Sequence, residues 1–494
     1  MAIKQSMQSL TQGFRPYYHL GLRFLLRLLT IVALVLPLVL IPLFSLNPWT
    51  LAFCVIFSNR ITRILGNAFG HAIYHPTKVT GRGAGEVAPK YTAKDVSVIL
   101  PTVDPYNPCF KACLTSILGN KPAHLFVITV GQAKKDDCIA FLDQFRSGYP
   151  ATQTHVSAVL SRPSKRHQIA LAVPHITTSI TVLADDHVFW ATPNRFLRSI
   201  LAPFCASPLI GAVAPKKVVR RPEEYRGSYS WRSIINYLAC NYLERHNWEL
   251  RASNALDGGV FVISGRTAAY RTDFLQEDNL MDKFVSEKFF FGMLGRNGGL
   301  GPDDNNFLTR ELLKKGWKIK FQDTDDATIE TTLGEWPTFR GQLVRWARTT
   351  VRSNPVMLRD VRFCWRHTWS YFMVYLPALY NFALLWDAML LLTLVKSCET
   401  SPGSAAGKIT TFVLLMLFSK TVKVMGHIDR HFEDLRLLPV QIVFGWVHSF
   451  VKLWALLTFW NGDWSGRDLD EKSCSKPGDA EDGGLATETM HKIG

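Results

Sequence analysis

The sequence predicts an α/β domain with a mostly parallel sheet, inserted between N-terminal and C-terminal transmembrane helices. Three observations carry this expectation. Long uncharged stretches lie at both ends of the chain, β-rich apolar runs alternate with helical patterns in the middle, and the positive charge collects beside the apolar stretches. Strands alternating with helices of ordinary length build a sheet covered on both faces.

The N-terminal element comes first. From Leu28 to Asn59 there are 32 consecutive residues without a charge, after Lys4, Arg15, Arg23 and Arg27. A membrane helix needs ~20 apolar residues, and a secretory signal has a shorter core of 7–15. The stretch therefore reads as an uncleaved anchor over 1–60, one helix or two, the second short and amphipathic. Three further apolar stretches follow late in the chain, Tyr371–Val395, Ala405–Met425 and Leu437–Trp460, within a C-terminal bundle over 367–462. Asp387, Lys423 and Lys452 inside them either line a polar path or snorkel to the interface. From Arg340 to Arg366 there are seven arginines against one acid, Asp360. Positive charge beside membrane helices marks the cytoplasmic side, so the middle region is expected in the cytosol of a multi-pass protein, in the plasma membrane. Residues 463–494 are acidic and rich in Gly, Ser and Thr, the composition of a disordered tail.

The middle unit, 61–335, carries strand-like runs at Val96–Val103, Leu125–Val130, His155–Leu160, Ile180–Leu183, Ile210–Val213, Val260–Ile263 and Lys318–Phe321. Asn107-Pro108 opens a helix, Lys134–Arg146 and Arg166–Val173 make two more, and Asp303–Lys315 ends at Gly316. Proline at a helix start and glycine just past its end are the usual punctuation. Nine cysteines, an odd number with no CxxC pair, fit reduced thiols rather than a disulfide scaffold. The net charge of +16 admits nucleic acid or membrane as partner, and its position beside the apolar stretches favours membrane.

In parallel sheets, ligands bind beyond the carboxyl ends of the strands. Asp185, Asp186 and His187 follow one such strand and suit a divalent cation, or else form an acidic turn. Asp104 ends the first strand, and Lys165 and Arg166 open a helix whose donors can hold phosphate. Asp303 and Asp304 open the helix that runs to Lys315, where a carboxylate can take a proton from a hydroxyl or stabilise the helix dipole. Gln342, Arg345 and Trp346 fall in region 336–366, whose Leu343, Trp346, Ala347, Thr350 and Val351 share one helical face, with Arg345, Arg348 and Arg352 on another. That pattern describes a basic amphipathic helix on a membrane surface. A guanidinium there fits a pyrophosphate, and an indole can stack on a sugar.

These pieces occur in order: VSVILPTVD at 96–104, ADDHVF at 184–189, SGRTAAYR at 264–271, GPDDNNFLTRELLKKGW at 301–317 and QLVRW at 342–346. Together they resemble the processive family-two glycosyltransferases: hyaluronan, chitin and cellulose synthases. They are closest to the fungal type-2 membrane glycosyltransferases, including capsular polysaccharide synthase-like proteins. VKLWALLTFWNGDWSGR at 451–467 is similar to the C-terminal stretch of hyaluronan synthases. The resemblance implies a GT-A-type fold, a UDP-sugar donor, a polysaccharide acceptor and Mg²⁺ or Mn²⁺ held by Asp185, Asp186 and His187. It implies that Asp104 and Lys165 contact the nucleotide and that Asp304, beside Asp303, is the base. Gln342, Arg345 and Trp346 would close the site around diphosphate and acceptor, with Arg166, Gly265 and Arg271 as further substrate contacts.

The sequence departs from the family where Val130-Gly131-Gln132 replaces an acidic pair. The DxD motif fits in two registers, one using Asp185 and His187, the other aligning Asp186 and leaving Ala184 in an acidic slot. Trp464-Ser465-Gly466-Arg467 alters the order of the terminal motif. Counting three C-terminal spans leaves that motif outside, whereas the resemblance wants it on the cytosolic side. The expected reaction is direct, inverting displacement with one carboxylate base. Its rivals are a dolichyl-phosphate sugar synthase and, in another class, a transporter or scaffold with a degenerate nucleotide-binding domain.

Overall fold

The computed structural model describes residues 47–78, 89–145, 148–160, 164–294, 300, 302–333, 335–399, 405–462 and 491–493. The expected first span, from Leu28, lies largely outside these residues, as do Trp464–Arg467 and nearly all of the acidic tail.

The first sheet strands are β1 (Val96–Pro101), β2 (His124–Val130), β3 (Gln153–Val159) and β4 (Ile180–Ala184). Neighbours β3-β2-β1-β4 all run parallel. β1 is buried throughout and alternates its apolar residues between two cores. Val96, Val98 and Leu100 face one, and Ile99 faces the other. That is why its sequence reads as continuous apolar rather than alternating. The helices α1 (Pro108–Leu118), α2 (Gln132–Asp143) and α3 (Lys165–Ala172) make the crossovers. Asn107 caps α1 by accepting from the Cys109 amide at 2.9 Å.

Beyond β4 the sheet changes direction. β5 (Val188–Phe189), β6 (Ile210–Pro215), β7 (Lys217–Val219), β8 (Thr267–Arg271), β9 (Lys318–Gln322) and β10 (Ile329–Thr331) follow. β8 is antiparallel to both β4 and β6, and β6 is parallel to β9. β5, β10 and β7 form a separate small sheet. The expected strand at Val260–Ile263 is not one. Its backbone is satisfied by side chains instead: Tyr375 Oη reaches the carbonyls of Val260 and Phe261, and Thr309 Oγ1 accepts from the Ile263 amide. Because Ala184 pairs with Thr267, the turn leading into β8 sits beside the carboxyl end of β4.

Two helices brace this unit. α4 (Trp231–Leu256) packs along the helix Pro48–Ile73, where His71 stacks on Trp248 and Arg63 meets Glu249 at 3.2 Å. α5 (Asp304–Lys314) and α6 (Thr338–Leu358) carry the later motifs. α6 buries Phe339 and Leu343 in a core that also takes Leu437, each such side chain being worth roughly 1.5–3 kcal/mol.

Two apolar segments, Ala405–Arg430 and Phe432–Leu457, are long enough to cross a membrane. A third candidate, Thr368–Tyr380 with Ala383–Glu399, is bent by 94°, so the expected single stretch Tyr371–Val395 is broken at Asn381-Phe382. The last helix, Leu438–Leu457, runs beside α6 and is fastened to the α/β unit at both ends. Before it, Asp434 pairs with Arg221 at 2.7 Å. After it, Thr458 Oγ1 accepts from Arg348, and the carbonyls of Phe459 and Asn461 accept from Arg352. The chain up to Gly462 therefore lies against α6, and by length and composition up to three segments could cross a membrane.

Candidate active site

A cavity of about 830 Å³ opens where the carboxyl ends of β1 and β4, the turn before β8, the start of α5 and one face of α6 converge. Its chemistry begins with Lys165, the first residue of α3. The Lys165 ammonium lies 2.8 Å from Asp185, 3.0 Å from Asp304 and 3.2 Å from the carbonyl of Gly265. Three separate motifs thus meet at one nitrogen. Burial pushes the Lys165 pKa down, but Asp185 and then Asp304 outweigh it, so the ammonium titrates above its ordinary range. Burial likewise raises Asp185, and Lys165 and His187 more than reverse this.

The two neighbouring aspartates differ in setting. Asp185 faces the cavity, and its amide donates to the carbonyl of Arg266 at 2.8 Å. Asp186 is turned inward, with Oδ2 accepting from Thr102 at 3.0 Å and Oδ1 lying 3.1 Å from His187 Nδ1. Among the described residues no group of three or more His, Cys, Asp or Glu forms a ready metal cage. Of the three expected ligands, His187 is engaged with Asp186 through its Nδ1. Two hard carboxylates beside an open cavity nonetheless fit a Mg²⁺- or Mn²⁺-like ion that takes its remaining oxygens from water and a diphosphate.

Asp303 and Asp304 also part company. Asp303, at φ 69°, stands at the N-cap position of α5 without a side-chain capping bond and is gripped by Arg352 at 2.8 and 3.1 Å and by Thr349. Asp304 faces Lys165, and its Oδ1 accepts from Asn305 at 3.1 Å. At Gly265 a Cβ would fall 2.0 Å from Asn305 Nδ2, so any larger residue would have to move that side chain.

From α6, Gln342, Arg345 and Trp346 all line the cavity. Gln342 Oε1 is buried with no protein partner among the described residues. Trp346 stacks on Tyr242 with ring centroids 5.1 Å apart, and the Arg266 guanidinium lies 5.5 Å above the indole.

Three expected contacts lie elsewhere. Arg271 sits at the far end of β8, opposite Ile180, and donates to the carbonyls of Ile210 and Ser207. Arg166 is buried, holding Glu287 and the carbonyls of Phe284 and Pro302, and so braces the approach to Asp303. Asp104 is exposed and caps its own turn, accepting from the Tyr106 amide at 3.0 Å. Conversely, Lys217 and Arg266, with Tyr242, Arg245, His246 and Glu249 of α4, line the cavity without having been marked by the motifs. Of these, only Arg266 stands inside a matched segment, SGRTAAYR, and is within reach of sequence reasoning.

The family described as glycosyltransferase like family 2 matches residues 94–349. A type 2 glycosyltransferase of Pyricularia oryzae is 32% identical over 454 residues, 90% of this chain and 89% of that one. One from Zymoseptoria tritici is 32% identical over 434 residues, covering 87% and 86%. An NDP-glycosyltransferase, ltbB, of Aspergillus luteorubrus is 24% identical over 404 residues, 78% of this chain and 91% of that one. Among solved structures, the mannosyltransferase PcManGT of Pyrobaculum calidifontis, in complex with GDP-Man and Mn²⁺, is 16% identical, with a TM-score of 0.49, covering 82% of this chain and 98% of that one. The chain belongs to glycosyltransferase family 2, and its sheet is the mostly parallel α/β sheet of the GT-A type.

Proposed function

We propose that this protein is a membrane-embedded, inverting glycosyltransferase that moves a sugar from a UDP-sugar to a growing polysaccharide, with its α/β unit in the cytosol. The observation that carries the reading is the meeting of Asp185, Asp304 and Lys165 in one cavity with Arg345 and Trp346. Asp185 and Asp186 would hold the divalent cation, which neutralises charge on the leaving diphosphate. His187 steers the Asp186 carboxylate.

The reaction needs one base. Asp304 takes the proton from an acceptor hydroxyl, and that oxygen attacks the anomeric carbon opposite the leaving group, inverting the centre. Preorganised cations stabilise charge most where water is excluded, which suits Arg345 and Lys165 beside the diphosphate. Trp346, backed by Tyr242, offers a flat apolar face to the acceptor sugar. Asp303 is the poorer base, because its side chain is 1% exposed in a two-bond pair with Arg352, whereas that of Asp304 is 15% exposed toward the cavity.

Processive synthesis is the reading we attach to the reach of the cavity, whose wall runs from Asp185 to Asn381 and Lys452 among the C-terminal helices. Membranes containing the protein, incubated with each UDP-sugar and Mn²⁺, should yield a polymer that linkage-specific glycosidases degrade. Transfer of one sugar only, to an extractable lipid, would reject processivity. No transfer from any UDP-sugar would reject the donor assignment.

A further inference from the structure

The transfer chemistry above makes no use of a buried cation on the cavity wall. Lys217, the first residue of β7, has 2% of its surface exposed and lines the same cavity. Its backbone is held on both sides by Asn247 of α4, the amide donating to Oδ1 and the carbonyl accepting from Nδ2 at 2.7 Å. Among the described residues no carboxylate lies within ion-pair distance of its ammonium. The charged group beside it is another cation, Arg266, and burial together with that guanidinium pushes Lys217 well below its ordinary pKa. His246 supplies no negative charge either, being kept neutral by burial and then by Lys217, Arg245 and Arg266.

A buried ammonium without a counterion is costly, and an anion entering the cavity would remove that cost. The diphosphate already has Lys165 and Arg345. What distinguishes the Lys217 corner is its neighbour, since Arg266 lies over the Trp346 indole, where the sugar would stack. A charge carried on a sugar stacked there lies close to Arg266, and through it to Lys217. A guanidinium fork takes a carboxylate in two parallel hydrogen bonds.

We propose that Lys217 and Arg266 form an anion subsite for a carboxylate borne by the sugar itself, so that the substrate is an acidic sugar. The inference rests on the nucleotide-sugar reading above. The carboxylate has two sources, the donor sugar or the terminal sugar of the acceptor.

The test uses the full-length protein in detergent micelles with Mn²⁺. In the donor arm, calorimetry compares UDP, UDP-glucose and UDP-glucuronate. In the acceptor arm, with UDP saturating, it compares methyl glucoside with methyl glucuronide. The acidic member should bind about tenfold tighter in one arm, as a charge-assisted hydrogen bond would give. Lys217→Met should abolish that preference and Lys217→Arg should keep it, with UDP affinity equal in all three proteins. Equal binding of acidic and neutral sugars in both arms would overturn the inference, as would a preference that survives Lys217→Met. Weakened UDP binding in Lys217→Met would also overturn it, by giving Lys217 to the diphosphate. A wild-type protein that binds no UDP would instead sink the nucleotide-sugar reading, and this inference with it.

Discussion

Arg352 holds both carboxylate oxygens of Asp303, with Nε at 2.8 Å and Nη2 at 3.1 Å, and each side chain is 1% exposed. The third nitrogen of the same guanidinium reaches the carbonyls of Phe459 and Asn461. One side chain therefore ties the start of α5, and with it Asp304, to the segment after the last helix. Breaking a buried pair from one side costs about 3–5 kcal/mol, because the other charge is left uncompensated. Asp303→Asn should therefore lower the melting temperature while leaving measurable transfer. Unchanged stability would show that the ion pair does not hold the start of α5.

Gly265 is a second position where geometry makes a sharp prediction. Gly265→Ala must displace Asn305, whose side-chain amide donates to Asp304. A misplacement of about 1 Å near reacting atoms can cost on the order of 100-fold in rate. We expect kcat to fall by roughly 10- to 100-fold with the fold intact, and a wild-type kcat would show that Asn305 does not orient Asp304.

Glu249 gives a pH signature. Burial raises its pKa, but Lys423, Arg63 and Arg245 outweigh burial and bring the carboxyl down to about 2. The folded value lies below the ordinary glutamate value of ~4.3, so the stabilisation is complete above that pH and is lost as pH falls toward about 2. The shift corresponds to a stabilisation on the order of 3 kcal/mol. Glu249→Gln should melt well below wild type at neutral pH, with the gap closing in acid. A gap independent of pH would mean that lost packing, not charge, is responsible.

The anchoring of the last helix at both ends predicts a side for the C-terminus. An epitope appended after Gly494 should be accessible in sealed vesicles from the same side as one placed in the exposed segment at Asp136. Accessibility from opposite faces would show that the chain crosses after Asn461.

Much of this site is legible in the amino-acid sequence. The DDH turn, Asp304 and the Gln342–Trp346 helix face meet in one cavity because each stands at a strand end or helix start that the parallel sheet turns to the same side. Arg271 fails that logic: it shares a motif with Gly265, but β8 is antiparallel to β4 and carries it to the opposite end of the sheet. The helix α4 escapes sequence reasoning, since it meets the sheet, the N-terminal helix and the C-terminal bundle and shows no clean apolar stripe. Its cavity residues Tyr242, Arg245, His246 and Glu249 escape with it. Lys217 has no motif at all. Only the closing of the small β5-β10-β7 sheet against α4 buries it at the cavity wall.

The central claim is that Asp304 is the base and that Lys165, Asp185 and Asp304 form one transfer site. It is tested most directly by Asp304→Asn in the full-length protein, with sugar transfer from the preferred UDP-sugar and UDP binding measured on the same preparation. Transfer should fall by at least about 100-fold, the lower range for loss of a general base, while UDP still binds and the melting temperature stays near wild type. Transfer at the wild-type rate would contradict the account.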